Sequence, residues 1–176
     1  MADEKKEPWL NLLALTTVIL AVCATLATFK GGSFSTRAVL SQSQASDQWA
    51  FFQAKGIKGM LYEVEARRLE RDLTGAAPAL APVLQHDLED AQKRVQRYQG
   101  EQAEIQKEAR RLEEAKGDAQ KHGGAFGLAV IFLQIAILLS SVAALLKQKY
   151  VYWLGLAVGA VGIVCFVNGF LLFLPL

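Results

Sequence analysis

The sequence predicts an all-α integral membrane protein, with three transmembrane helices and a long antiparallel coiled-coil hairpin between the first and the second. Three observations carry that prediction. The 19 basic and 17 acidic residues all fall within residues 1–8, 30–121 or 147–149. The charge-free stretches 9–29, 122–146 and 150–176 each reach the roughly 20 apolar residues that cross a bilayer as a helix. Between the first two, apolar residues recur in alternating steps of four and three over two segments of similar length, the spacing of a coiled-coil seam.

A polar tail, 1–8, precedes the first membrane helix, 9–29, with Trp9 at its edge as an interfacial anchor. This run exceeds the roughly 7–15 apolar residues of a signal-peptide core, and its leader is mixed in charge, so it is expected to stay as a membrane helix. Lys30-Gly31-Gly32 is expected to interrupt the helix, with Ser33 or Ser35 capping a new one. The extramembrane part spans 30–124, with arms at about 34–74 and 83–121. In the first arm Ser43, Asp47, Ala50, Ala54, Ile57, Leu61 and Val64 make the seam expected to face the second arm. Gly75 is the expected stop, in the left-handed conformation that glycine accepts. Pro82 suits the first turn of the next helix. In the second arm Leu84, Leu88, Ala91, Val95, Tyr98, Gln102, Ile105, Ala109 and Leu112 continue the pattern, until His122-Gly123-Gly124 is expected to break it. Gly100 and Gly117 weaken this arm by about 1 kcal/mol each relative to alanine if exposed.

The arms have similar lengths, each about 60 Å at about 1.5 Å per residue, so they can fold back and return both ends to the membrane. Folding about the turn pairs residues whose numbers sum to about 157, the sum for Thr74 and Val83. Phe52 then meets Ile105, Leu61 lies near Val95 and Leu69 meets Leu88. Glu63 faces Arg94, Arg67 faces Asp90, Arg68 faces Glu89 and Asp47 faces Arg110, pairs worth about 0–1 kcal/mol each on a surface. The second membrane helix is 125–146. A short basic turn, 147–150, leads to the third, 151–174. Short loops rich in lysine prefer the cytoplasm. The Lys147-Gln148-Lys149 turn therefore puts the N-terminus in the cytoplasm and the hairpin outside it.

The segment Asp47-Gln48-Trp49-Ala50-Phe51-Phe52-Gln53-Ala54-Lys55-Gly56-Ile57-Lys58 resembles the signature of a bacterial membrane-protein family, domain of unknown function 4337. The layout of that family, one membrane helix, a charged helical stretch and two more membrane helices, covers almost the whole chain. Gly56 stands where the family has a serine. The resemblance implies a bacterial inner membrane, crossed several times by the chain. It implies no activity.

The first arm is apolar on a second face, through Ala38, Ala45, Phe52, Gly59 and Ala66, flanked by Trp49 and Gly56. One partner helix covers one face only. Ala45, Trp49, Phe52, Gly56 and Gly59 are therefore the expected oligomer interface, with the chain itself as partner. Gln53, Lys55 and Lys58 are candidates for polar contacts with lipid phosphates or a neighbouring chain. The apolar turn from Ala76 to Leu84 would either dock a protein partner or be a cap packed by Leu80 and Val83.

The membrane helices hold no Asp, Glu, Lys or Arg, which argues against ion-coupled transport. Gln134 and Asn168 are expected to bond neighbouring helices or line a pore, and Gly155 with Gly159 to allow close helix packing. His86 and His122 lie at opposite ends of the second arm, and Asp87 and Asp90 sit near His86. No phosphate loop, nucleophile motif or cysteine cluster is present, and no metal or cofactor is expected. A net charge of +2 gives no basic stripe for nucleic acid. The expectation is a homo-oligomeric membrane scaffold without catalytic chemistry, in contact with lipid. The alternative is a passive channel.

Overall fold

The computed structural model describes residues 8–174. The polar tail up to residue 7 lies outside the described residues, as do the last two residues. The described residues form three helices and no strand: α1, Pro8–Thr74, α2, Ala81–Leu146, and α3, Lys149–Leu171. Each contains a stretch long and apolar enough to cross a membrane. The chain divides into two compact units, one of residues up to Val39 and from Lys116 onward, the other Leu40–Ala115.

In the first unit the three apolar stretches pack together. Leu20, Ala24 and Ala27 of α1, Phe126, Ala129, Leu133 and Ala136 of α2, and Cys165 of α3 form its core. Phe126 is fully buried, with Phe34, Phe166 and Phe170 at ring-centroid distances of 5.9, 6.0 and 4.9 Å. A second cluster joins Leu13, Ala143 and Tyr152, with Trp9 packed against it. The α2–α3 turn is shorter than the expected four residues. Lys147 adopts a left-handed φ of 49° and Gln148 N–H donates to Ala143 O at 3.2 Å.

The helix breaks expected at Lys30-Gly31-Gly32 and at His122-Gly123-Gly124 are absent, and both helices run through them. Gly31 faces α2, where a Cβ would lie 3.2 Å from Phe126 Cβ, and Gly123 faces Phe34 and Ser35. These glycines permit close approach and do not end helices. Ser33 is no cap either: its hydroxyl donates back to Phe29 O at 3.0 Å, as Thr36 does to Gly32 O. Gly75 follows the last residue of α1, but no glycine among the described residues has a positive φ.

In the second unit α1 and α2 pack antiparallel in the expected register. Gly59 lies against Tyr98, Gly56 against Gln102 and Lys55 against Glu101. The face of α1 is not the expected one. Ala38 is the last buried residue of α1 in the first unit, and Ser41, Ala45, Gly59 and Ala66 of α1 are buried in the second. The row expected to face α2 is exposed, with Ile57 at 62%, Leu61 at 66% and Val64 at 59%. The cause is residue size: the small residues Ala45, Gly59 and Ala66 let the two backbones approach, with a Cβ at Gly59 only 3.5 Å from Tyr98 Cβ, and the bulkier row is left outward. Leu61, expected near Val95, lines a surface pocket with Tyr62 and Tyr98. None of the four expected inter-arm ion pairs forms among the described residues. Arg94 donates to Tyr62 Oη, Arg68 pairs with Asp72, and Asp90 pairs with Lys93.

Candidate functional site

The five residues expected at an oligomer interface make contacts within the chain. Ala45 is fully buried and Gly59 is buried. Half-buried Trp49 donates through Nε1 to Glu113 at 2.9 Å and meets the Phe52 ring edge-on at 5.5 Å. The Phe52 carbonyl accepts from Gln102 Nε2 at 3.3 Å. A Cβ at Gly56 would stand 2.7 Å from that same nitrogen. These residues hold the two arms together. The face left open is the other one, from Ala50 and Ala54 through Ile57 and Leu61 to Val64, all exposed. Sequence reasoning found both faces and expected the exposed one to be the face that meets α2.

Of the three polar candidates, Lys55 is committed inside the chain. Its Nζ lies 2.6 Å from Glu101 Oε2, and 5.2 and 5.5 Å from the Phe51 and Tyr98 ring centroids. Arg97 Nε reaches the other carboxylate oxygen at 2.8 Å. Lys55 first and Arg97 second hold Glu101 below the usual carboxylate range. Phe51, Lys55, Glu101, Glu104 and Ile105 line a shallow groove of about 480 Å³. Tyr98 stacks on Tyr62 at 5.7 Å, with the Arg94 guanidinium 5.1 Å above the Tyr62 ring. Gln53 and Lys58 are exposed. At the turn Leu80 and Val83 are 52% and 56% exposed, so they do not pack as a cap.

In the first unit α3 turns its glycines inward. A Cβ would meet Leu139 at 3.2 Å from Gly155, Leu20 at 3.2 Å from Gly159, Leu133 at 2.9 Å from Gly162 and Phe126 at 2.7 Å from Gly169. Gly155 and Gly159 thus serve close packing. Asn168 is fully buried and closes the end of α3: its Oδ1 accepts from Leu174 N–H at 2.7 Å and its Nδ2 donates to Leu174 O at 3.2 Å. Those bonds leave it no role lining a pore within this chain. Gln134 is the opposite case, exposed on α2 and bonded to no described residue. His122, expected only as part of a break, stacks on Phe34 at 4.6 Å and meets the Gly169 carbonyl at 2.8 Å. No sequence spacing signalled that tie between α2 and α3.

His86 and Asp87 approach to 3.8 Å on the surface, and no group of three metal-ligating side chains occurs among the described residues. Cys23 and Cys165 are free thiols. What the geometry offers is surface: an exposed apolar face on α1, and an exposed amide on an apolar stretch of α2. Searches of curated proteins and of solved structures each found no match. The pattern of one protein family matches residues 9–172, nearly the whole described chain, and the chain belongs to that family, Domain of unknown function (DUF4337).

Proposed function

We propose that this chain is a homo-oligomeric scaffold of the bacterial inner membrane, acting through helix–helix contacts and carrying no catalytic chemistry. Its α1 and α2 arms form an antiparallel coiled-coil hairpin on the periplasmic side, and three spans hold it in the lipid. The observation that carries the reading is which face of α1 stays open. The arm spends its small residues, Ala45, Gly59 and Ala66, on the contact with α2, and leaves Ile57, Leu61 and Val64 about 60% exposed. Fully burying an aliphatic side chain is worth about 1.5–3 kcal/mol, so each of these gains roughly 1–2 kcal/mol when covered. A chain that folded to suit itself alone would hide the bulkier face.

A second copy is the simplest cover. Copies inserted in one membrane share orientation, so a rotation axis along the membrane normal sets their arms parallel at equal height. The test is the protein-only mass in mild detergent, by light scattering with refractive-index correction. A discrete multiple of 19.2 kDa is expected. The double variant Ile57→Ala/Leu61→Ala should shift the protein toward single chains without loss of helix content. A wild-type mass of one chain would overturn the scaffold. The passive channel rests on Gln134 alone, since Asn168 is occupied. Ion flux in reconstituted bilayers that Gln134→Leu abolishes would favour it.

A further inference from the structure

The open face of α2 in its apolar stretch has the spacing of a helix seam. Gly127, Ile131, Gln134, Leu138, Ser141 and Leu145 are all exposed and follow one another in steps of four and three. Ile131, Leu138 and Leu145 are 53%, 66% and 83% exposed. Gly127, Gln134 and Ser141 recur every seven residues between them. The core-facing residues Phe126, Leu133 and Ser140 lie on the other side of the helix. Ser141 satisfies itself by donating to Ile137 O at 3.0 Å. Gln134 has no such partner.

An amide left unbonded in hydrocarbon costs several kcal/mol. Gln134 stands near the middle of the span, about 15 Å from either edge at about 1.5 Å per residue, so its short side chain cannot reach water. The cover over this face must therefore bring both a donor and an acceptor to mid-depth. Lipid chains bring neither. A second copy of this chain brings both. Its Gln134 carries the same amide, which pairs with itself donor to acceptor, and insertion in the same orientation sets it at the same depth. Gly127 and Ser141, one heptad to either side, let the two backbones approach.

We infer that α2 of one chain packs parallel against α2 of a second copy along the row from Gly127 to Leu145, with the two Gln134 amides hydrogen-bonded across the contact. This rests on the homo-oligomer reading, but on residues distinct from the α1 face that carries it.

The test uses the full chain with Cys23 and Cys165 replaced by alanine, in native membranes. Single cysteines at Ile131 and Leu138 lie on the row, and cysteines at Leu128 and Ile135, also exposed, lie off it. Oxidation should cross-link the first two several-fold faster than the second two. In parallel, Gln134→Leu in the otherwise unaltered chain should raise the dissociation constant between labelled copies in liposomes. The expected change is roughly three- to thirty-fold, the span of measured interhelical hydrogen bonds in membranes. Cross-linking without that periodicity, in a protein whose mass is a multiple of the chain, would overturn this contact and leave the scaffold standing. A single-chain mass would overturn both. An unchanged dissociation constant in Gln134→Leu would remove the amide bond, and ion flux lost in that variant would replace the dry contact by a wet one.

Discussion

Replacing Gly162 by alanine tests the packing of α3 on α2 directly. The new Cβ would lie 2.9 Å from Leu133 Cγ and 3.0 Å from both Leu133 Cδ2 and the Leu133 backbone nitrogen. Carbon–carbon contacts are comfortable at about 3.5–4.0 Å. Leu133 is fully buried and cannot swing away, and a backbone nitrogen cannot move without its helix. The two helices must part by a fraction of an ångström, an overpacking that costs about 1–3 kcal/mol. Alanine returns up to about 1 kcal/mol through its better helix propensity, so a net loss of roughly 1–2 kcal/mol remains. For a chain of this size that lowers the melting temperature by about 2–8 °C. The assay is thermal unfolding in detergent followed by circular dichroism. Gly32→Ala is the control, because a Cβ there meets nothing within 4 Å. It should be neutral or stabilising by up to about 1 kcal/mol. Equal melting temperatures for the two variants would refute the tight α2–α3 contact.

Three further outcomes follow from the same geometry. Gly59→Leu forces a large side chain toward Tyr98 Cβ, 3.5 Å from the glycine's would-be Cβ, and should lower the melting temperature of the arms, whereas Leu61→Ala should leave it unchanged and alter only the assembly mass. Glu101 is held below its ordinary pKa of 4.5, so its contribution to stability is present above that pH and lost as pH falls through the lowered value. Glu101→Gln should flatten the acid side of a melting-temperature profile, and an unchanged profile would count against the Lys55–Glu101–Arg97 cluster. A cysteine at exposed Leu80, in a chain lacking Cys23 and Cys165, should react with a membrane-impermeant maleimide added outside intact spheroplasts; labelling only after lysis would reverse the proposed orientation.

Much of this architecture was legible because charge and periodicity are coarse signals. A run without charges marks a span whatever its neighbours do, and equal arms fix a register whatever face they use. The seam of α2, through Ala91, Ile105 and Ala109, was legible for a further reason: its other faces are charged, so only one row could be buried. The first arm offered no such contrast. Two rows of apolar residues ran along it, and spacing alone treats Ala45 and Gly59 as no different in kind from Ile57 and Leu61. The contacts that depend on distant chain segments, His122 with Gly169 and Trp49 with Glu113, left no local trace at all.

The misread faces and the misread breaks have one origin. Reading Lys30-Gly31-Gly32 as an interruption treats glycine by its backbone freedom, which matters where a chain must turn. Inside a helix whose neighbour is within reach, the missing side chain matters more. Gly31 stands where a Cβ would lie 3.2 Å from that of Phe126, itself fully buried among aromatic rings, and the helix runs on through it. The same holds along the arm, where Ala45, Gly59 and Ala66 are buried because residues without bulky side chains let α1 and α2 approach, and the bulkier row of Ile57, Leu61 and Val64 is left outward. Local hydrophobicity would have reversed that choice at a gain of roughly 1–2 kcal/mol per residue. On the proposed reading a second copy recovers that energy by covering the row of Ile57, Leu61 and Val64, which links the choice of face on α1 to the homo-oligomer.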